Sequence, residues 1–167
     1  MYESILVPLD GSQRAEAVLP FAVDLAKRCQ SKVVLFRAVP AFYQVWAETL
    51  PGTVDIAPGA AAEGIEIVQS EVKEHVRGAR RYLSNVRRRL HNAGLRDVHL
   101  VVAQGDAAAE IVRHAREEGV GLVAIATHGR SGLVRAVMGS VADRVIRQAP
   151  GPVLVIRPKE AQHSKDS

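Results

Sequence analysis

Five short apolar runs along the chain predict buried β-strands. They are rich in valine, isoleucine and leucine, and they lack the strict alternation of apolar and polar residues that marks a sheet with one solvated face. Continuous apolar runs are typical of parallel strands that helices cover on both faces. The runs span residues 4–8, 32–38, 98–103, 122–126 and 153–156.

Two helices are predicted before the third run. Ser12 is the expected N-cap of the first, and the middle segment repeats apolar residues at spacings of three and four from Ile65 to Ala93, after which Gly94 can end the helix. The apolar stripe of the first helix comprises Ala15, Val18, Leu19, Ala22, Ala26 and Cys29.

Two further helices are predicted in the second half of the chain. One starts at Asp106 as N-cap and stops near Gly119. The other follows Ser140 and ends before Pro150. Its residues expected to face inward are Val141, Val145, Ile146 and Ala149.

This alternation of strands and helices predicts an α/β fold: a doubly wound, open, five-stranded parallel sheet flanked by helices, of the Rossmann-like type. We expect one domain over residues 1–158. Residues 40–62 contain two Pro-Gly pairs and an alanine run, so we predict an irregular insertion that serves as a lid or a partner surface. Residues 159–167 are predicted to be a polar tail.

Length and composition indicate a globular protein that does not depend on disulfides. The chain has 167 residues, of which 47% are hydrophobic, enough for a core without disulfides. Because Cys29 is the lone cysteine and no export signal or membrane span is evident, we expect a cytoplasmic protein.

The basic charge of the chain favours anionic ligands. The formal net charge is +4, but aromatic residues make up only 4% of the chain, which leaves few platforms for stacked bases. The arginines between Arg77 and Arg89 lie mostly opposite the apolar stripe, so we interpret them as a solvated helix face and do not expect nucleic acid as a partner.

Small residues follow the first and fourth predicted strands, where open parallel sheets bind ligands. Gly129 and Gly139 allow close backbone approach, and Ser140 offers a hydroxyl and a cap at a helix N-terminus that favours phosphate. The loop from Gly129 to Ser140 is therefore a candidate phosphate site. The alternative is ordinary turn and cap chemistry. The sequence contains neither a Walker lysine motif nor G-x-G-x-x-G.

Four stretches of this sequence resemble the universal stress protein family: residues 5–12, 126–133, 139–142 and 151–156. Its UspA-like, ATP-binding members carry glycine, two residues, glycine, nine residues, then glycine and serine or threonine. Gly129, Gly139 and Ser140 match the later positions, and Ala126 stands at the first glycine. Alanine is compatible with a negative φ there and would be strained at a positive φ.

The resemblance implies ATP, with Mg²⁺, as the ligand. Asp10 would accept from adenine or ribose, Val39 would meet adenine through its backbone, and Arg130 would reach a phosphate. The alternatives are a turn role for Asp10, strand-end packing for Val39 and solvation for Arg130. The full set of predicted nucleotide contacts is Pro8, Leu9, Asp10, Val39, Ala126, Gly129, Arg130, Gly139, Ser140 and Val141.

The resemblance also implies a function. The leading hypothesis is a nucleotide-dependent regulator in the stress response, a homodimer through residues 153–156 that acts on a regulatory protein partner. The alternatives are a slow ATPase or phosphotransferase and a nucleotide-free interaction module. No catalytic residue and no metal ligand is predicted, and His128 is interpreted as a turn residue.

Overall fold

The computed structural model describes residues 2–49, 58–127 and 139–157. Their elements, in chain order, are β1 (Ser4–Pro8), α1 (Gln13–Glu16), α2 (Leu19–Cys29), β2 (Lys32–Val39), α3 (Phe42–Thr49), α4 (Pro58–Asn92), β3 (Val98–Gln104), α5 (Ala107–Glu117), β4 (Leu122–Ala126), α6 (Ser140–Gln148) and β5 (Val153–Ile156). The five predicted strands are confirmed, three of them with both bounds unchanged.

The strands of the described residues form one parallel sheet in the order β3-β2-β1-β4-β5. Central strand β1 pairs with β2 on one side, where Ile5 lies opposite Val33, and with β4 on the other, where Ile5 lies opposite Leu122. The chain therefore winds outward in one direction through β2 and β3 and in the other through β4 and β5. The doubly wound α/β fold is confirmed, and its switch point lies between β1 and β4.

Successive side chains of the central strands enter two separate cores. Ile5 and Val7 pack on the face that α2 and α4 cover, together with Leu83 and Leu90 of α4. Leu6 packs on the opposite face with residues of α5 and α6. Because both faces of the strand are buried, both sets of positions must be apolar, which explains the unbroken apolar runs.

Proline divides the predicted first helix into two. We expected one helix along the stripe from Ala15 to Cys29, whereas α1 ends at Glu16 and α2 begins at Leu19. Pro20 has no N–H to donate, and its ring would clash with the carbonyl of Glu16 four residues earlier, so the helix restarts with proline in its first turn. Cys29 is half-buried rather than fully buried.

The expected irregular insertion at 40–62 is largely helical. Residues 42–49 form α3, and α4 already begins at Pro58, so the predicted insertion is wrong for both segments. The α3 helix is stabilised by Val45 and Trp46, which pack against Val68 and Val72 of α4. Residues 50–57 and the predicted tail, 159–167, lie outside the described residues.

The long helix α4 follows its predicted stripe from Val68 to Leu90, but both ends of the stripe are exposed: Ile65 at 40% and Ala93 beyond the last turn. Gly94, with φ of +86°, follows the helix in the left-handed region, as predicted for a helix stop. None of the described helices is long and apolar enough to cross a membrane.

Candidate functional site

A cleft of about 240 Å³ opens at the switch point between β1 and β4. The carboxyl ends of three strands and the first turns of α5 and α6 meet there, as expected for an open parallel sheet. Its lining residues are Pro8, Leu9, Asp10, Ala15, Phe36, Ala38, Ala107, Ile111, Ile125, Ala126, Thr127, Gly139, Ser140, Val141 and Ala142.

Most of the predicted contacts line this cleft. They are Pro8, Leu9, Asp10, Ala126, Gly139, Ser140 and Val141. Val39 is not among the described lining residues: it is 5% exposed, and its carbonyl accepts a hydrogen bond of 2.9 Å from the Gly105 N–H. Gly129 and Arg130, like His128, lie outside the described residues.

One wall of the cleft is apolar, and sequence reasoning missed it. Phe36 and Ala38 come from the end of β2, Ala107 and Ile111 from the start of α5, and Ile125 from β4. The available signal was topological: β2 ends at the same sheet edge as β1, and α5 begins there. Such a surface suits a flat, weakly polar group such as a nucleobase.

The loop after β1 is held by hydrogen bonds of Asp10. Its Oδ1 accepts from the Ser12 N–H at 2.9 Å and from the Ser12 hydroxyl at 2.7 Å, and the Ser12 hydroxyl accepts from the Ala15 N–H at 3.0 Å. The predicted cap role of Ser12 is confirmed. Asp10 thus shapes the turn while its side chain borders the cleft.

A cation–aromatic network lies beside Gly11 of the same loop. Gly11 has φ of +88°, and a Cβ placed there would lie 3.1 Å from Nη1 of Arg37, whose guanidinium stands 5.0 Å over the ring of Tyr82. The Tyr82 hydroxyl donates to Glu16 at 2.8 Å, and Arg89 pairs with the same carboxylate at 2.8 Å. Burial, aided by the neighbouring Glu16, raises the pKa of Tyr82. The network links the cleft loop to α4.

The other side of the cleft joins β4 to α6. The Thr127 carbonyl accepts from the Gly139 N–H at 2.6 Å, and the Gly139 carbonyl accepts from the Asp143 N–H at 2.9 Å. Because that second bond closes the first helical turn, Gly139 is the N-cap and Ser140 the first helical residue. The predicted cap role of Ser140 is therefore wrong. Val141 is 36% exposed, so its expected inward position is also wrong, since Ala142 and Val145 occupy the buried side.

An ion pair joins the two helices beside the cleft. Oδ1 of Asp106 accepts from the Ala109 N–H at 2.9 Å, which confirms the predicted cap of α5. Nη1 of Arg144 on α6 approaches the two carboxylate oxygens at 2.8 and 2.9 Å. The Ala109 N–H, followed by Arg144, holds the pKa of Asp106 below its usual value. The pair fixes α5 and α6 close to Ala107 and Ala142, which line the cleft.

Ala126 occupies its position without backbone strain. It lies in β4 and is 8% exposed, and the described non-glycine residue with a positive φ is Gln30 instead. Alanine at the first motif glycine is therefore compatible with the backbone. Among the described residues, no three His, Cys, Asp or Glu side chains come together as metal ligands.

A model of the universal stress protein family matches residues 1–157, which is nearly the whole chain. The chain belongs to the universal stress protein family. A related member is universal stress protein MJ0531 of Methanocaldococcus jannaschii, 32% identical over 160 residues that cover 94% of this chain and 83% of that protein.

Solved structures of universal stress proteins share this fold. MJ0577 of M. jannaschii is 25% identical, covers 96% of this chain and 99% of its own, and superimposes with a TM-score of 0.73. A universal stress protein crystallised in complex with cAMP is 20% identical, covers 93% and 96% of the two chains, and superimposes with a TM-score of 0.61.

Proposed function

We propose that this universal stress protein binds ATP in the cleft between β1 and β4 and acts as a nucleotide-dependent regulator in the cytoplasm. The observation that carries the proposal is the composition of the cleft: an apolar wall on one side and the N-terminus of α6 on the other. An adenine nucleotide has the complementary parts, a flat base and an anionic tail.

The phosphates are assigned to the start of α6. In the first turn of a helix the backbone N–H groups have no carbonyl partner within the helix, and the helix dipole is positive there. Ser140 and Val141 stand at this turn and border the cleft. Gly139, with φ of −58° and no side chain, leaves room beside them.

The base and ribose are assigned to the opposite end of the cleft. Phe36, Ile111 and Ile125 offer the apolar contact, and the carboxylate of Asp10 borders them as an acceptor for the ribose or the base edge. The relative in complex with cAMP, also an adenine nucleotide, supports this class of ligand. Mg²⁺ is expected to arrive coordinated by the ATP phosphates.

The proposal includes a homodimer through β5. This strand lies at the edge of the sheet, and all four of its residues, Val153–Ile156, are half-buried in the single chain. An apolar edge strand has unpaired backbone groups that a second copy can satisfy. We infer that ATP changes how this dimer presents itself to a regulatory protein partner.

Isothermal titration with ATP and Mg²⁺ tests the ligand. We expect binding by the unchanged chain, and at least a tenfold loss of affinity for Gly139→Val, whose side chain would fill the space beside the first turn of α6. Gly151→Val is the matched control, because a Cβ there meets its nearest neighbour, the Val120 carbonyl, only at 3.8 Å.

The same titration separates the alternatives. Absence of heat and of a thermal shift at millimolar ATP would contradict the proposal and favour a nucleotide-free interaction module. Phosphate release that follows the protein through purification and disappears in Gly139→Val would indicate a slow ATPase. Sedimentation of the chain with and without ATP tests the dimer.

A further inference from the structure

The positive charge of this protein is concentrated in one part of α4 and the turn after it. Residues 75–96 contain seven arginines and no acidic residue. Since the whole chain has 22 basic and 18 acidic residues, the remainder holds 15 and 18, a net charge of −3. The net positive charge of the chain therefore comes from this one segment.

Five of these arginines share the outer side of α4. On a helical projection they fall within about 120° of one another, outside the sector that holds the buried residues Ala79, Leu83 and Leu90. We call this surface the basic face of α4. Its members are Arg77, Arg80, Arg81, Arg87 and Arg88, all of them exposed.

Helix stability does not account for the basic face. Arg77 stands three and four residues before Arg80 and Arg81, where like charges destabilise a helix. The helix dipole favours cations only in the last turn, and these three residues lie well before the end of α4 at Asn92.

Within the described residues, several of these arginines also have no side-chain partner. Arg77 pairs with Glu74 at 2.7 Å and Arg88 donates to Asn85 at 3.1 Å. In the part of the chain that the structure describes, Arg80, Arg81 and Arg87 make no side-chain hydrogen bond or ion pair. Their side chains are exposed, as expected for a solvated helix face, and their charge is available to an anionic partner.

We propose that the basic face of α4 binds the sugar-phosphate backbone of a nucleic-acid duplex, without reading its bases. From Arg77 to Arg88 the helix rises about 16 Å, and a duplex of that length along its axis carries about five phosphates on each strand. Ser84 and Asn85 lie between the arginines and can donate to further phosphate oxygens.

Other anionic partners fit this surface less well. Tyr82, the aromatic residue of this segment, is half-buried with its ring beneath Arg37, so residues 75–96 offer no exposed phenylalanine, tyrosine or tryptophan ring for stacking a single strand. Membrane-surface helices insert an apolar stripe, and the stripe of α4 is buried against the sheet. The proposal is independent of nucleotide binding in the cleft.

Fluorescence anisotropy with a labelled 25-base-pair DNA duplex and the full chain, at 50 to 200 mM KCl, tests the proposal. Five phosphate contacts predict a slope of log K against log salt of about −4.5, so affinity falls about 500-fold over this range. In Arg80→Gln/Arg81→Gln/Arg87→Gln the slope should shrink to about −1.8 and the fall to about 12-fold.

The control variant Arg28→Gln/Lys32→Gln/Arg116→Gln removes the same charge from exposed positions on other elements, and its slope should equal that of the unchanged chain. Circular dichroism checks folding. If the triple variant does not fold, Arg80→Gln alone should reduce the slope by about 0.9.

Three results would overturn the proposal. They are no duplex binding at 50 mM KCl, an equal salt slope in the triple variant and the unchanged chain, or a control variant whose salt slope is reduced as much as that of the triple variant. Binding of polyglutamate or of phosphatidylserine vesicles that needs the three arginines, when the duplex does not, would overturn it as well.

Discussion

The ion pair between Asp106 and Arg144 permits a quantitative prediction, because one carboxylate has two separable roles. It caps α5 through the Ala109 N–H, and it holds α6 through Arg144. Asp106→Ala removes both roles. Asp106→Asn keeps a good cap and removes the charge, and Arg144→Ala removes only the ion pair.

The expected costs follow from burial and capping. The side chains of Arg144 and Asp106 are 45% and 48% exposed, so solvent screens the pair and its loss should cost about 0.5 kcal/mol. Loss of the cap should cost about 1 kcal/mol. We therefore expect Asp106→Ala to lose about 1.5 kcal/mol, and each of the other two variants about 0.5 kcal/mol.

Urea unfolding followed by circular dichroism measures these differences, and in thermal unfolding Asp106→Ala should lower Tm by about 3–6 °C. In 1 M KCl the cost of Arg144→Ala should nearly vanish, while that of Asp106→Ala should stay near 1 kcal/mol. The reasoning is refuted if Asp106→Asn is as costly as Asp106→Ala, or if salt leaves the Arg144→Ala difference unchanged.

Two further predictions concern other parts of the fold. Gly11→Ala should destabilise the chain by about 1–2 kcal/mol, because the φ of +88° at this position strains any residue with a Cβ. Gly78→Ala, in an open position on α4, should stabilise the chain by up to about 1 kcal/mol. The urea midpoints of the two variants should therefore move in opposite directions. Burial lowers the pKa of His114 despite the nearby carboxylate of Glu118. The stability that the neutral imidazole contributes is therefore complete above about pH 6.5, and it decreases at lower pH because the unfolded state takes up a proton first. Between pH 7.5 and 5.5, His114→Gln should lose less unfolding free energy than the unchanged chain, and equal losses would contradict this.

The sheet could be predicted from the sequence because its constraint is local. A strand buried on both faces must be apolar at every position, so β1 and β4 are visible as uninterrupted runs. The break between α1 and α2 also has a local cause, because Pro20 has no backbone N–H to donate. The sequence pattern did not predict the break, because the apolar stripe continues on both sides of it.

Contacts between distant parts of the chain determine the features that the sequence did not predict. Glycines and prolines between residues 40 and 62 suggest irregular structure, yet Val45 and Trp46 gain enough burial against α4 to form a helix. The apolar wall of the cleft is similar: Phe36 and Ile111 are ordinary core residues in the sequence and become lining residues only because β2 and α5 meet at one sheet edge.

The polar groups of the cleft serve the fold and the proposed ligand together. Asp10 closes a turn, the Thr127 carbonyl accepts from the Gly139 N–H, and Gly139 caps α6. The residues proposed to contact the phosphate are therefore the same ones that close the turns, so the sequence does not distinguish a phosphate site from ordinary turn chemistry. A substitution that abolishes ligand binding must consequently alter stability as well. Loss of ATP affinity is informative only when it exceeds what the change in stability explains, which is why Gly139→Val is compared with Gly151→Val, a glycine replaced away from the cleft.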